Sequence, residues 1–174
     1  MRIAEQRTKR GGVHRKNWRI GYTAGPAEAI KAMATIQSQE TSNPCSISQK
    51  AALAALDGPQ DFIEGWVQEF SRRRMYVVDR LNAIPGVSCL VPGGAFYAFP
   101  DISALYGRKA GEMLIDGSLA FCDYMLNDQH LALVPGIGFG NDRHIRISYA
   151  VSLETLEKAM DRFEHGVRNL RSER

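Results

Sequence analysis

The sequence predicts a mixed α/β chain in two unequal parts, a mainly helical stretch with one strand and then a complete α+β domain. Three observations predict it. Pattern begins abruptly at Trp18, after a polar, basic head over residues 1–17 with no helical or strand period. The longest periodic segment, Phe62 to Leu81, marks a single long helix. Beyond it, short apolar strands alternate with amphipathic helices. The divisions implied are a head at 1–17, expected to be disordered, a stretch at 18–74 that includes the start of the long helix, and a domain at 75–174.

Taken in order, Trp18 to Tyr22 reads as a short buried strand, and Pro26 suits the first turn of a helix carrying Ile30, Met33 and Ile36. Ser46 or Ser48 is placed to cap a helix over Gln49–Leu56, which stops at Asp57-Gly58-Pro59. Asp61 opens the long helix and Pro85-Gly86 closes it, with Arg72, Arg73 and Arg74 expected on a solvated face. Val87–Val91 and Ala95–Phe99 read as strands joined by Pro92-Gly93-Gly94, and 103–115 reads as an irregular connection. Ser118–Asn127 is a helix with Leu119, Cys122 and Met125/Leu126 inward, followed by a strand over Leu131–Val134. His144–Ala150 alternates, with Ile145, Ile147 and Tyr149 on one face and Arg146 and Ser148 on the other. Ser152 caps a last helix striped by Leu153, Leu156, Met160, Phe163, Val167 and Leu170. The domain at 75–174 therefore has its own sheet and helices. The stretch before it has helices that need a sheet from elsewhere.

Composition excludes several classes. A hydrophobic fraction of 44% with 24% charge is that of an ordinary globular chain. No apolar run approaches the ~20 residues of a membrane span, and the head has no apolar stretch like the core of a secretory signal. The cytoplasm is the expected compartment. Cys45, Cys89 and Cys122 are too scattered for a disulfide framework or a zinc site and are expected as free thiols. Residues 1–19 carry a net +6 and the remainder −3. A basic arm can bind nucleic acid, but no aromatic interleaves these cations before Trp18, which favours a solvated tail.

No phosphate-binding Gly-x-x-x-x-Gly-Lys, Gly-x-Ser-x-Gly or His-Glu-x-x-His occurs, and His14, His130, His144 and His165 lack metal-ligand spacing, so no metal is expected. Two arginines stand out instead. Arg146 lies within a strand whose opposite face is apolar, so its permanent charge must meet an anion or a surface. Its planar fork matches a carboxylate. Pattern alone favours a structural salt bridge there. Arg19, between Trp18 and Ile20, poses the same question, with phosphate as one natural partner.

Five stretches together resemble class I and II pyridoxal-phosphate-dependent aminotransferases, and most of all the bacterial aspartate aminotransferase group. They are Trp18–Pro26, Thr41–Asp61, Pro92–Asp101, Val134–Gly140 and His144–Ala150, in the family's order. The resemblance implies a PLP-dependent transferase-like fold (fold type I), with 18–74 a remnant of the large cofactor-binding domain and 75–174 the small domain. It implies amino-group transfer between an amino acid, aspartate being one candidate, and a 2-oxo acid through pyridoxal 5'-phosphate, in a homodimer. Arg146 then matches the arginine that binds the substrate α-carboxylate, which reverses the reading from pattern alone. Arg19 matches the arginine that holds the cofactor phosphate. Ser42 and Asn43 match a loop near the subunit interface and the partner's active site. Tyr97 and the Gly93-Gly94 turn belong to the small domain that closes over substrate.

The sequence departs from the family at the cofactor lysine. Related chains carry Ser-Lys shortly before Trp-Arg, whereas here Gly11 stands at that place and His14-Arg15-Lys16 runs almost directly into Trp18. Lys16 aligns with the lysine only if about five residues are deleted, which would draw its amine off its turn when proton transfer needs a reach of ~3 Å. The family's aspartate on the pyridine nitrogen, stacking aromatic and Gly-rich phosphate turn have no counterpart in 1–17. The expectation is a C-terminal fragment, produced by truncation, frameshift or a misplaced start, that does not transaminate alone. The alternatives are a non-catalytic remnant or a partner-dependent fragment and, last, a basic-tailed nucleic-acid-binding protein.

Overall fold

The computed structural model describes residues 2–4 and 20–172 of the 174. The chain forms two compact units, Met1–Phe62 and Ile63–Arg174.

In the first unit, strand β1 (Arg2–Ala4) pairs antiparallel with β2 (Gly21–Thr23), placing Ile3 opposite Tyr22. This corrects two expectations. Part of the basic head is a strand, and the strand after Trp18 is exposed, with Tyr22 at 59%. Burying a strand requires layers on its faces, and a two-stranded ribbon supplies none of its own. Helix α1 (Ala27–Glu40) begins after Pro26, whose extended ψ of 138° puts it at the cap and not in the first turn. Helix α2 (Ser46–Asp57) starts earlier than expected. Cys45 holds its cap position, neither serine caps it, and Gln49 Nε2 instead donates to the Pro44 carbonyl at 2.9 Å. Neither helix buries a residue: Met33, Ile36, Ile47, Leu53 and Leu56 are all exposed.

The second unit opens with helix α3 (Phe62–Asn82), which buries Val77, Val78 and Leu81. The unit boundary precedes α3's second residue, ahead of the division the sequence suggested at 74/75, because the helix is continuous and its C-terminal half is core. Glu69 pairs with Arg72 at 2.8 Å and Arg73 at 2.7 Å, but only Arg72 is on a solvated face. Arg73 and Arg74 depart from it: both are half-buried, and Arg74 donates from Nη1 to the Pro92 carbonyl at 3.0 Å. The expected hairpin of 87–91 with 95–99 does not form. Asn82 exchanges two hydrogen bonds with the Cys89 backbone, at 2.8 and 3.0 Å, which ties that segment to the end of α3. Only an isolated bridge, Ser88 with Asp101, remains of the first strand.

Strand β3 (Tyr97–Ala98) pairs instead with a later strand. The stretch expected to be irregular holds a hairpin of β4 (Arg108–Ala110) and β5 (Met113–Leu114), turning at Gly111 with φ 58°, and anchored by fully buried Leu105 and Ile115. These strands are too short for alternation to show. Helix α4 (Ser118–Gln129) buries Phe121, Cys122, Tyr124 and Met125 and leaves Leu119 and Leu126 exposed, so its inner face is rotated from the one expected. The partner helix sets that face. Strand β6 (Val134–Pro135), a short 3-10 turn (Gly136–Phe139) and β7 (Ile145–Ser148) follow, giving an antiparallel sheet in the order β3-β7-β6. Helix α5 (Leu153–Asn169) is capped as expected by Ser152, whose Oγ accepts from the Thr155 amide at 3.2 Å. It buries Leu156, Met160, Phe163 and Val167. Gly166 is the close point of α4 on α5. A Cβ there would meet the Met125 sulfur at 2.6 Å, and the Tyr124 hydroxyl donates to the Gly166 carbonyl at 3.0 Å. Strand β8 (Arg171–Ser172) pairs with β4.

Candidate functional site

Strand β7 is central in its sheet, and its alternation decides what it presents. Ile145 and Ile147 enter the core, while Arg146 and Ser148 point to the other face. Val134 of β6 sits opposite Arg146, and Tyr97 of β3 opposite Ser148.

The guanidinium carbon of Arg146 lies 4.4 Å from the Tyr97 ring centroid and 4.5 Å from that of Phe139. The rings come from opposite flanks of β7, one on β3 and the other on the turn after β6. Phe139 is itself supported: it meets Phe99 edge-on at 6.2 Å, and Phe99 stacks on His144 at 4.8 Å and 16°. Gly136 makes this return possible, since a Cβ there would fall 2.1 Å from the His144 carbonyl oxygen and 2.4 Å from that of Asn141. On the other flank, Tyr149 donates to the Ala95 carbonyl at 2.9 Å and Arg74 to that of Pro92, so the loop before Tyr97 is tied at two points. Ala95 is held in the left-handed region at φ 62°, a strain that such ties sustain. Burial pushes the Tyr149 hydroxyl above its usual pKa, with the nearby Arg74 charge opposing, so it remains a donor.

Arg146 is half-buried, and among the described residues no carboxylate pairs with it. Among the described residues, then, the salt bridge that pattern alone favoured is not found there. Each aromatic contact is worth ~0.5–2 kcal/mol to the cation, but neither ring neutralises it. An anion can, and a carboxylate fits the guanidinium edge through two parallel hydrogen bonds.

Of the other residues singled out from sequence, Ser42 and Asn43 lie in the first unit, exposed, where Ser42 ends α1 with φ 62°. That is a position glycine or asparagine usually takes. Lys16 and Arg19 lie outside the described residues. The described lysines are Lys31 and Lys50 on α1 and α2, Lys109 on β4 and Lys158 on α5, and none is on the β3-β7-β6 sheet. The arrangement of Arg146 between Tyr97 and Phe139 can take a planar carboxylate. Among the described residues that sheet carries neither a lysine for Schiff-base chemistry nor a phosphate cradle, so no step through a cofactor follows from it. Among the described residues no three His, Cys, Asp or Glu side chains cluster as metal ligands, and no helix is long and apolar enough to cross a membrane. Among the described residues Cys45, Cys89 and Cys122 form no disulfide, and the last two are buried.

Sequence reasoning passed over Phe139 and the Phe99–His144 stack behind it. A signal existed: Phe139 stands between Gly138 and Gly140, in a turn with no apolar period to recruit it into a core.

Comparison with known proteins shows the family. Residues 15–163 match the family model for aminotransferase class I and II. An aspartate aminotransferase of Rhizobium meliloti (strain 1021) is 51% identical over 147 residues, 83% of this chain and 36% of the relative. An aspartate/prephenate aminotransferase of Cereibacter sphaeroides is 51% identical over 84% of this chain and 37% of its own length. The crystal structure of an aspartate aminotransferase from Rhizobium meliloti superposes with a TM-score of 0.83 at 48% identity, covering 88% of this chain and 38% of that one. An aspartate aminotransferase from Thermus thermophilus, solved with maleate, gives a TM-score of 0.75 at 37% identity over 86% of this chain and 37% of that one. The chain thus spans little more than a third of the length of these relatives.

Proposed function

This chain belongs to the class I and II aminotransferase family, and we propose that it carries the substrate-carboxylate side of an aminotransferase site, with Arg146 as the binding group. One observation carries the reading: a half-buried arginine on a central strand, flanked by two aromatic rings and paired with no acid among the described residues. The ligand class is an amino acid or 2-oxo acid. The names of the relatives point to aspartate, and the maleate of the Thermus thermophilus structure is itself a dicarboxylate. On this reading residues 75–174 act as a small domain, and 18–74 belong to a larger cofactor-binding domain.

Pyridoxal 5'-phosphate is the cofactor proposed for the complete site, where it supplies the electron sink for amino-group transfer. Arg19 is the candidate for its phosphate and Lys16 a degenerate candidate for the catalytic amine. The exposed, left-handed turn at Ser42 and Asn43 is proposed as part of a homodimer interface, and the cytoplasm as the compartment. By itself the 174-residue chain is expected to bind carboxylates without turning them over.

Calorimetric titration of the chain with succinate, repeated on Arg146→Ala, tests this. Binding lost in the variant, with thermal unfolding unchanged, is expected. Binding of equal strength in both would remove Arg146 from the site. A basic-arm function predicts instead salt-dependent DNA binding that disappears when residues 1–17 are deleted.

A further inference from the structure

We infer that Tyr97 and Phe139 are positioning residues that make Arg146 select a planar carboxylate over a tetrahedral oxyanion. The inference rests on the carboxylate reading of Arg146 and adds to it what sets the preference.

A guanidinium offers an anion two faces and one edge. An exposed arginine uses all of them, and carboxylate and phosphate then compete on charge. Here a ring approaches from each flank of β7, with the guanidinium carbon 4.4 and 4.5 Å from the two centroids. On this inference the rings take the two faces and leave the edge. A carboxylate lies flat against that edge, both oxygens in the guanidinium plane. A phosphonate or sulfonate brings at least one further oxygen out of that plane, toward a ring face. Aromatic faces carry negative potential, so that oxygen meets repulsion as well as crowding.

The second flank has the structure such a role needs. Phe139 is 51% exposed, and an exposed ring on a glycine-bounded turn would ordinarily sample many orientations. This one is propped edge-on by Phe99, which is stacked on His144. On the first flank, Tyr97 follows a loop tied by Tyr149 and Arg74. Neither ring is needed to fill the core, since both remain exposed by more than 40%. Arranging two exposed rings over one cation therefore serves that cation.

The test follows the Arg146 side-chain Nε–H resonance of the full chain by nuclear magnetic resonance. Propionate and ethylphosphonate are titrated separately, at a mildly acidic pH where each carries a single charge. The chain is expected to prefer propionate by roughly fivefold or more, and Phe139→Leu to reduce the preference below about twofold. Tyr97→Leu should act in the same direction, and Phe139→Tyr, which keeps the ring, should retain the preference. Ring-current displacement of the Nε–H signal should fall in the two leucine variants while the backbone amide signals keep the dispersion of the folded chain. A preference that survives both leucine variants overturns this inference and leaves the carboxylate reading standing. An Arg146 signal that answers neither anion in the unsubstituted chain overturns both.

Discussion

The two units differ less in the residues they contain than in what those residues meet. Helices α1 and α2 carry Met33, Ile36, Ile47, Leu53 and Leu56, and every one is exposed. Helices α4 and α5 carry a comparable complement, and Phe121, Met125, Met160 and Phe163 are fully buried. An apolar stripe specifies that a helix wants a surface but not that a surface exists. In the second unit α5 faces α4 and the sheet supplies a further layer. In the first unit the described residues offer a two-stranded ribbon. Stability should accordingly be concentrated in 63–174.

Several measurements would sharpen or break that contrast. The largest effect is expected from Phe163→Ala, which removes a fully buried ring 5.7 Å from Phe121 and should cost about 3–5 kcal/mol in denaturant unfolding. Leu53→Ala in α2, at a position 50% exposed, should stay within about 0.5 kcal/mol. Similar costs for the two would end the contrast. Amide hydrogen exchange should come next, with α5 and β7 protected by roughly a hundredfold or more over α1 and α2. Uniform protection would mean that the first unit is ordered by something other than burial.

Ser152→Ala should cost about 1 kcal/mol, since Ser152 Oγ satisfies the Thr155 amide at the start of the core-forming helix. No such side-chain cap exists on α1 or α2, so alanine at Ser46 should change little. The smallest effect is electrostatic. Burial works to raise the Asp101 carboxyl, but hydrogen bonds from Ser103 and the Arg143 charge hold it below the usual aspartate value. A folded-state pKa that is depressed contributes stability present above the ordinary aspartate range and lost as pH falls through the lowered value. Asp101→Asn should therefore narrow its deficit from wild type on acidification, by less than about 1 kcal/mol in all. A deficit independent of pH would show that the carboxylate charge is not the source.

Legibility from sequence varied within the second unit itself. The α5 stripe, its Ser152 cap and the β7 alternation were readable because each repeats against one core, and the period records the burial. Arg146 stood out for the same reason, as a charge interrupting a regular apolar strand. The β4–β5 hairpin was not readable, since strands of three and two residues carry no period. The α4 face was misjudged because Leu119 and Leu126 share a helical spacing with the residues that are buried, and only Gly166 on the partner helix decides between them. Phe139 was missed because its role depends on a distance to Arg146 across a turn, and spacing along the chain does not encode it.

The order of pairing in the second unit also sets a timetable for synthesis. Strand β4 at 108–110 waits for β8 at 171–172, and the core under α3 waits for Phe163 and Val167 of α5. While a ribosome still holds those last residues in its exit tunnel, the earlier strands and α4 have emerged without their covering helix. Strand β8 and the α5 side of the core can therefore join only after translation has passed residue 172, and until then Phe121 and Met125 of α4 lack their covering helix.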